Sequence, residues 1–165
     1  MTNESTSMHA SPNPLPLPAR TAICAALLPV LTDGLDLQSQ IKVAHWNIKG
    51  PQFAALHPLF DQFATDIAAS NDELAERVLT LGGLAVGTAR HVAKNSRLPD
   101  YPQDLTRDLE HVQLLIERIE KYLVGVRAGR ELADEHDDQD TVDLLTGFVQ
   151  LFEKHAWFLH ATLGK

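Results

Sequence analysis

His57, Asp61, Asp72 and Glu76 stand at offsets of 0, 4, 15 and 19 residues along one stretch of this 165-residue chain. On an α-helix those offsets fall within about 100° of arc, on a face separate from the large apolar stripe, with the outer two about 28 Å apart along the axis. Imidazole and carboxylate groups on one face are the donors of a metal site, and Ala64, Ala68 and Ala75 between them permit close approach of another helix. One copy cannot wrap one ion with all four. His45, delivered from the end of the preceding helix, can join His57 and Asp61, yet three ligands leave the site incomplete and Asp72 and Glu76 without a partner. An antiparallel two-fold contact between copies sets Asp72 and Glu76 of one chain against His45, His57 and Asp61 of the other and completes both halves. Such a site, with an open position, suits iron or zinc, and ligand type alone does not separate them. The plain alternative is a solvated acidic face, with His45 complementing a helix C-terminus.

The elements that must hold these residues read as helices throughout; no alternating β-branched segment competes with them. The first helix is expected over residues 21 to 48, stopped by Gly50-Pro51, with Pro29 kinking it or delaying its start. The second, over residues 52 to 81, carries Phe53, Leu56, Phe60, Phe63, Ile67, Leu74 and Val78 at three-four spacing and is the clearest in the chain. A long crossover follows, with a short helix over residues 89 to 95. The third and fourth long helices are expected over residues 105 to 126 and 139 to 163. The fold class is therefore all-α, a four-helix bundle over residues 20 to 165 preceded by a flexible or polyproline-like tail over residues 1 to 19, where Pro12, Pro14, Pro16 and Pro18 alternate.

Composition narrows the classes further. An apolar fraction of 44% suits one domain with one core, and a single cysteine, Cys24, excludes an intrachain disulfide framework. No secretory pattern and no uninterrupted apolar run of about 20 residues is seen, so the expectation is a cytoplasmic protein with no membrane partner. A formal charge of −8 points to cations and away from phosphate backbones. His91, His111, His155 and His160 have no companions at ligand spacing and read as surface or packed residues, and His9 has no second ligand. The Glu-x-x-His signature of a metal site inside one bundle is absent.

The chain resembles the Dps, or miniferritin, family of ferritin-like proteins. The resemblance is carried by His45-Trp46-Asn47-Ile48-Lys49-Gly50, then Phe53, Leu56-His57, Phe60-Asp61, Asp72, Ala75-Glu76-Arg77 and Leu81-Gly82-Gly83. It continues through Gly87-Thr88-Ala89, Leu98-Pro99 and Glu153-Lys154-His155-Ala156-Trp157, covering residues 21 to 163. The resemblance implies a ferritin-like four-helix subunit, twelve of which form a hollow shell, a homododecamer. It implies a ferroxidase centre across each two-fold dimer, with His45, His57 and Asp61 from one subunit and Asp72 and Glu76 from its mate, Glu76 being the strongest ligand. The resemblance also implies ferrous iron as the metal, hydrogen peroxide as the preferred oxidant over oxygen and ferric mineral as the product, with zinc as an ion able to compete.

Two further roles follow from the same resemblance. Trp46, beside a ligand, is a candidate radical trap, with core packing as its ordinary alternative. Asp134, which opens the acidic run Asp134-Glu135-His136-Asp137-Asp138, and Asp143 beyond it are candidates for lining an ion channel, where an ordinary acidic loop and helix start is the alternative. Some members of the family this chain resembles hold DNA through a lysine-rich terminal tail. The segment before Arg20 has neither lysine nor arginine, and the far end offers only Lys154 and Lys165, which argues against direct DNA binding by that route. The rival readings are a non-catalytic, nucleoid-associated compacting protein and a shell with a structural or buffering zinc site.

Overall fold

Large apolar side chains recurring every three or four residues turn most of this chain into helix, and a computed structural model describes residues 8 to 164. The elements are α1 (Leu17–Asn47), α2 (Phe53–Thr80), α3 (Ala89–Asn95), α4 (Asp108–Glu135) and α5 (Gln139–Thr162). α1 packs on α2 and α4, and α5 closes the bundle against α4. Ile23, Leu27 and Ile41 of α1, Phe60, Phe63 and Leu74 of α2, Ile119 and Tyr122 of α4 and Phe152 of α5 form the buried centre. The expected all-α bundle with a long crossover carrying a short helix is the architecture observed. By length and composition alone α1 could cross a membrane, a possibility the run-length reading overlooked; here its apolar face is spent on the bundle core.

Three boundaries depart from expectation. α1 starts at Leu17, because Pro16 and Pro18 occupy the cap and first turn, where no N–H has a partner to lose, and it continues through Pro29 without delay. Residues 8 to 16 are not a detached tail. His9 N–H donates to Gly82 O at 2.7 Å, Ser11 Oγ to Thr80 O at 2.5 Å, and Arg20 bridges Leu15 O and Leu81 O at 3.0 and 2.8 Å. Met8 and Leu15 pack on the core, so this stretch is a strap over the end of α2; residues 1 to 7 of the expected tail lie outside the described residues, as does Lys165. α4 runs on to Glu135, because Gly129 and Ala133 are buried there and keep the helix packed without large side chains.

Polar contacts fix the connections. A stripe on α1, Asp33, Asp36 and Gln40, receives the crossover: Asp33 pairs with Arg97 at 2.7 Å, Asp36 accepts from Ser96 Oγ at 2.5 Å and Gln40 donates to Pro99 O at 3.1 Å. The α1–α2 corner is stitched to the start of α4. Lys49 N–H donates to Thr106 O at 2.7 Å, Asp108 N–H to Lys49 O at 3.0 Å, and Gln52 N–H to Asp108 Oδ2 at 2.8 Å. Gly50, at φ 145°, is needed in this corner, because the Asp108 carboxylate occupies the space a Cβ would take.

Candidate metal centre

The corner between α1 and α2 presents His45 from the last turn of one helix and His57 from the second turn of the next. Their rings stack with centroids 3.9 Å apart. Each is held by the other's backbone: His45 Nδ1 lies 2.8 Å from His57 O, and His57 Nδ1 lies 2.9 Å from His45 O. A carbonyl only accepts, so each Nδ1 carries the hydrogen, and in the neutral rings each Nε2 keeps a free lone pair. That tautomer, fixed by a backbone carbonyl, is the one metal-ligating histidines adopt. Phe53 supports the outer side of His57 at 4.9 Å.

Asp61, one turn beyond His57, places Oδ1 3.9 Å from His45 Nε2. Its nearer partner is Lys42, whose Nζ donates to the same oxygen at 2.6 Å. The Lys42 hydrogen bond holds the Asp61 carboxyl below the usual carboxylate range. Lys42 also sits 6.0 Å from the centre of the Trp46 ring. Trp46 is 67% exposed in the single chain, so its ordinary alternative, core packing, is not what holds it here.

Asp72 and Glu76 are exposed on α2, about 22 and 28 Å along the axis from His57 by helical rise. Among the described residues no group of three or more histidine, cysteine or acidic side chains converges to hold a metal within one chain. The structure thus brings His45, His57 and Asp61 together and leaves Asp72 and Glu76 apart, as helix geometry requires. Residues that sequence reasoning did not single out complete the picture. Lys42 precedes His45 by one turn of α1, a spacing that signals a shared face but not a carboxylate partner on another helix.

The acidic turn divides by burial. Asp134 is in the last turn of α4, not a loop, and accepts from Gln139 Nε2 at 3.1 Å. Asp143 lies on α5 beside a groove shared with Asp66 and Glu73 of α2. Asp138 is buried instead: it caps α5, pairs with Arg77 at 2.5 Å, and accepts from Thr141 Oγ1 at 2.5 Å, while Arg77 Nε donates to Thr141 Oγ1 at 2.7 Å. The residue after Glu76 is therefore anchored to the start of α5. Of the four histidines expected to be ordinary, His160 pairs with Glu120 at 3.0 Å and His111 is buried against the Tyr101 hydroxyl at 2.7 Å. His91 approaches Thr32 at 3.4 Å, and His155 is buried.

Comparison with known proteins identifies the family. A family model described as the ferritin-like domain matches residues 24–165. The DNA protection during starvation protein of Agrobacterium fabrum is 37% identical over 153 residues, 93% of this chain and 94% of that protein. DNA protection during starvation protein 2 of Bacillus anthracis is 38% identical over 121 residues, 73% of this chain and 82% of that protein. Among solved structures, DpsC from Streptomyces coelicolor superposes with a TM-score of 0.92 at 32% identity, covering 99% of this chain and 95% of that one. The Dps protein of Vibrio cholerae, described as a member of a broad superfamily of ferritin-like diiron-carboxylate proteins, gives 0.87 at 28% identity, covering 95% of this chain and 99% of that one. The chain belongs to the ferritin-like domain family and, within it, to the DNA-protection-during-starvation, or Dps, proteins.

Proposed function

We propose that this chain is the subunit of a cytoplasmic, twelve-membered iron-storage shell that oxidises ferrous iron, with hydrogen peroxide preferred to oxygen, at sites shared between two copies. The observation that carries the reading is the reciprocal hold of His45 and His57, which leaves two imidazole lone pairs side by side next to Asp61. Asp72 and Glu76 of a second copy supply the carboxylates that one chain lacks. Lys42 occupies Asp61 as a resident cation, and an arriving ferrous ion replaces one positive charge with two, so the carboxylate is released to iron.

Each ferrous ion gives up one electron, and the peroxide takes two as its O–O bond breaks. With two waters the products are two ferric oxyhydroxide units and four protons. No single-electron step then releases hydroxyl radical, and removal of both reagents protects DNA without contact. Trp46, exposed beside the site, is placed to take a stray oxidising equivalent, and Asp134 and Asp143 mark the acidic approach. Zinc, with the same donors but no redox step, is an inhibitor of the centre.

The test adds ferrous iron anaerobically and then a half-equivalent of peroxide, following ferric absorbance in the parent and in Glu76→Ala and His57→Ala variants. Fast oxidation by the parent and a loss of about a hundredfold in each variant is expected for missing ligands. Equal rates in all three would sink the site. Shells co-assembled from equal amounts of the two variants should regain about a quarter of the parental sites, because one site in each mixed dimer is intact. No regain would mean that the ligands do not cross the two-fold contact.

A further inference from the structure

Two polar clasps tie α2 to α5. Arg77 on Asp138 and Thr141 forms one, and His155 forms the other, with Nε2 2.8 Å from Asp66 Oδ2. His155 is 5% exposed. Its ring stacks on Phe63 of α2 with centroids 3.9 Å apart and meets Phe152 edge-on at 5.5 Å. The other Asp66 oxygen accepts from Gln62 Nε2 at 2.8 Å, while both ring nitrogens of His155 are buried, Nδ1 with no partner and Nε2 close to Asp66 but out of line for a hydrogen bond.

A carboxylate oxygen at 2.8 Å repels a lone pair, so the neutral ring carries its hydrogen on Nε2, as a close electrostatic contact rather than an aligned hydrogen bond, and keeps a bare lone pair on Nδ1 among aromatic rings. A second proton would put an N–H where nothing accepts it. Burial pushes the imidazole's pKa down; Asp66 across the seam opposes this, and Lys154 on its own helix adds to it. Alongside runs the groove lined by Asp66, Ser70, Glu73, Asp143 and Phe148, which offers carboxylates and water to a charged ring.

We infer that the His155–Asp66 contact is an acid-sensitive clasp: the neutral ring locks α2 to α5, and its protonation drives it from the Phe63–Phe152 slot and loosens the middle of the seam. The Arg77 clasp keeps its charge near neutral pH, so the loosening is confined to the stretch around His155. The device is separate from the iron chemistry and stands whether or not the centre oxidises iron.

Hydrogen–deuterium exchange at the imidazole C2 position, resolved by mass spectrometry on the full-length protein, reports the protonation midpoint of His155. A midpoint below the ordinary value of 6.5 is expected, and one at or above 6.5 overturns the clasp. Backbone amide exchange, corrected for intrinsic rates, should rise about tenfold in segments 62–73 and 144–159 between about pH 7.5 and about pH 5. In His155→Gln, whose amide keeps the donor to Asp66 but takes no proton, the rise should be under about twofold. Equal rises in both proteins overturn the proposal. If the variant fails to assemble, the parent decides: a rise that tracks the His155 midpoint supports the clasp, and a rise at another pH, or none, overturns it.

Discussion

Lys42 and Asp61 meet at 2.6 Å on an exposed surface, where an ion pair contributes little to stability but, in the proposed site, a cation parked on Asp61 competes directly with iron. Lys42→Met should therefore tighten ferrous binding about two- to fivefold, measured by anaerobic titration, with little change in melting temperature. Unchanged or weaker binding would show that Lys42 is not the competitor. His45 and His57 form a second unit at this scale. Because each ring is fixed by the other residue's backbone carbonyl, which alanine keeps, removing one ring leaves its neighbour held, so His45→Ala and His57→Ala should each lose less iron binding than the double variant. A single variant that loses as much as the double in the same titration would argue against separate backbone holds. The shared face of His57, Asp61, Asp72 and Glu76 was legible because helical offsets are arithmetic. Lys42 was not, since its partner lies 19 residues away on another helix and no local spacing encodes that meeting.

At the scale of elements, Asp138 joins the cap of α5 to Arg77 of α2. Removing the carboxylate leaves a mostly buried guanidinium without its anion and a helix without its cap. Asp138→Ala should cost about 3 to 5 kcal/mol, or roughly 6 to 20 °C in melting temperature for a domain of this size. A loss under about 1 kcal/mol would place the pair among decorative surface contacts. Helix identity and order were readable from apolar periodicity in every long element. Boundaries were readable only where large side chains marked them. Gly129 and Ala133 extend α4 by packing closely with little apolar volume, and prolines that suggested a tail instead begin α1. The strap's docking depends on carbonyls at the end of α2, about 70 residues downstream, which no local pattern reports.

Across the whole molecule, the single chain leaves apolar surface that asks for cover. Val124 and Trp157, 66% and 62% exposed, flank a groove between α4 and α5 rimmed by the Arg127–Glu153 and Glu120–His160 pairs. In the proposed shell this patch, together with exposed Trp46, is covered by neighbouring copies. Sedimentation should give about twelve times the chain mass of 18.2 kDa, and tryptophan emission should shift to the red when the assembly is diluted to folded single chains. A monomer of unchanged emission at all concentrations would remove the shell. The stitched corner at Gly50 and Asp108 has a further consequence for the chain as it is made. His45 and His57 emerge from the ribosome well before residues 106 to 108, whose backbone and carboxylate brace their corner. Until α4 begins, the corner that sets His45 against His57 lacks its brace, so in the reading proposed above a half-made chain has not yet formed its half of the shared site.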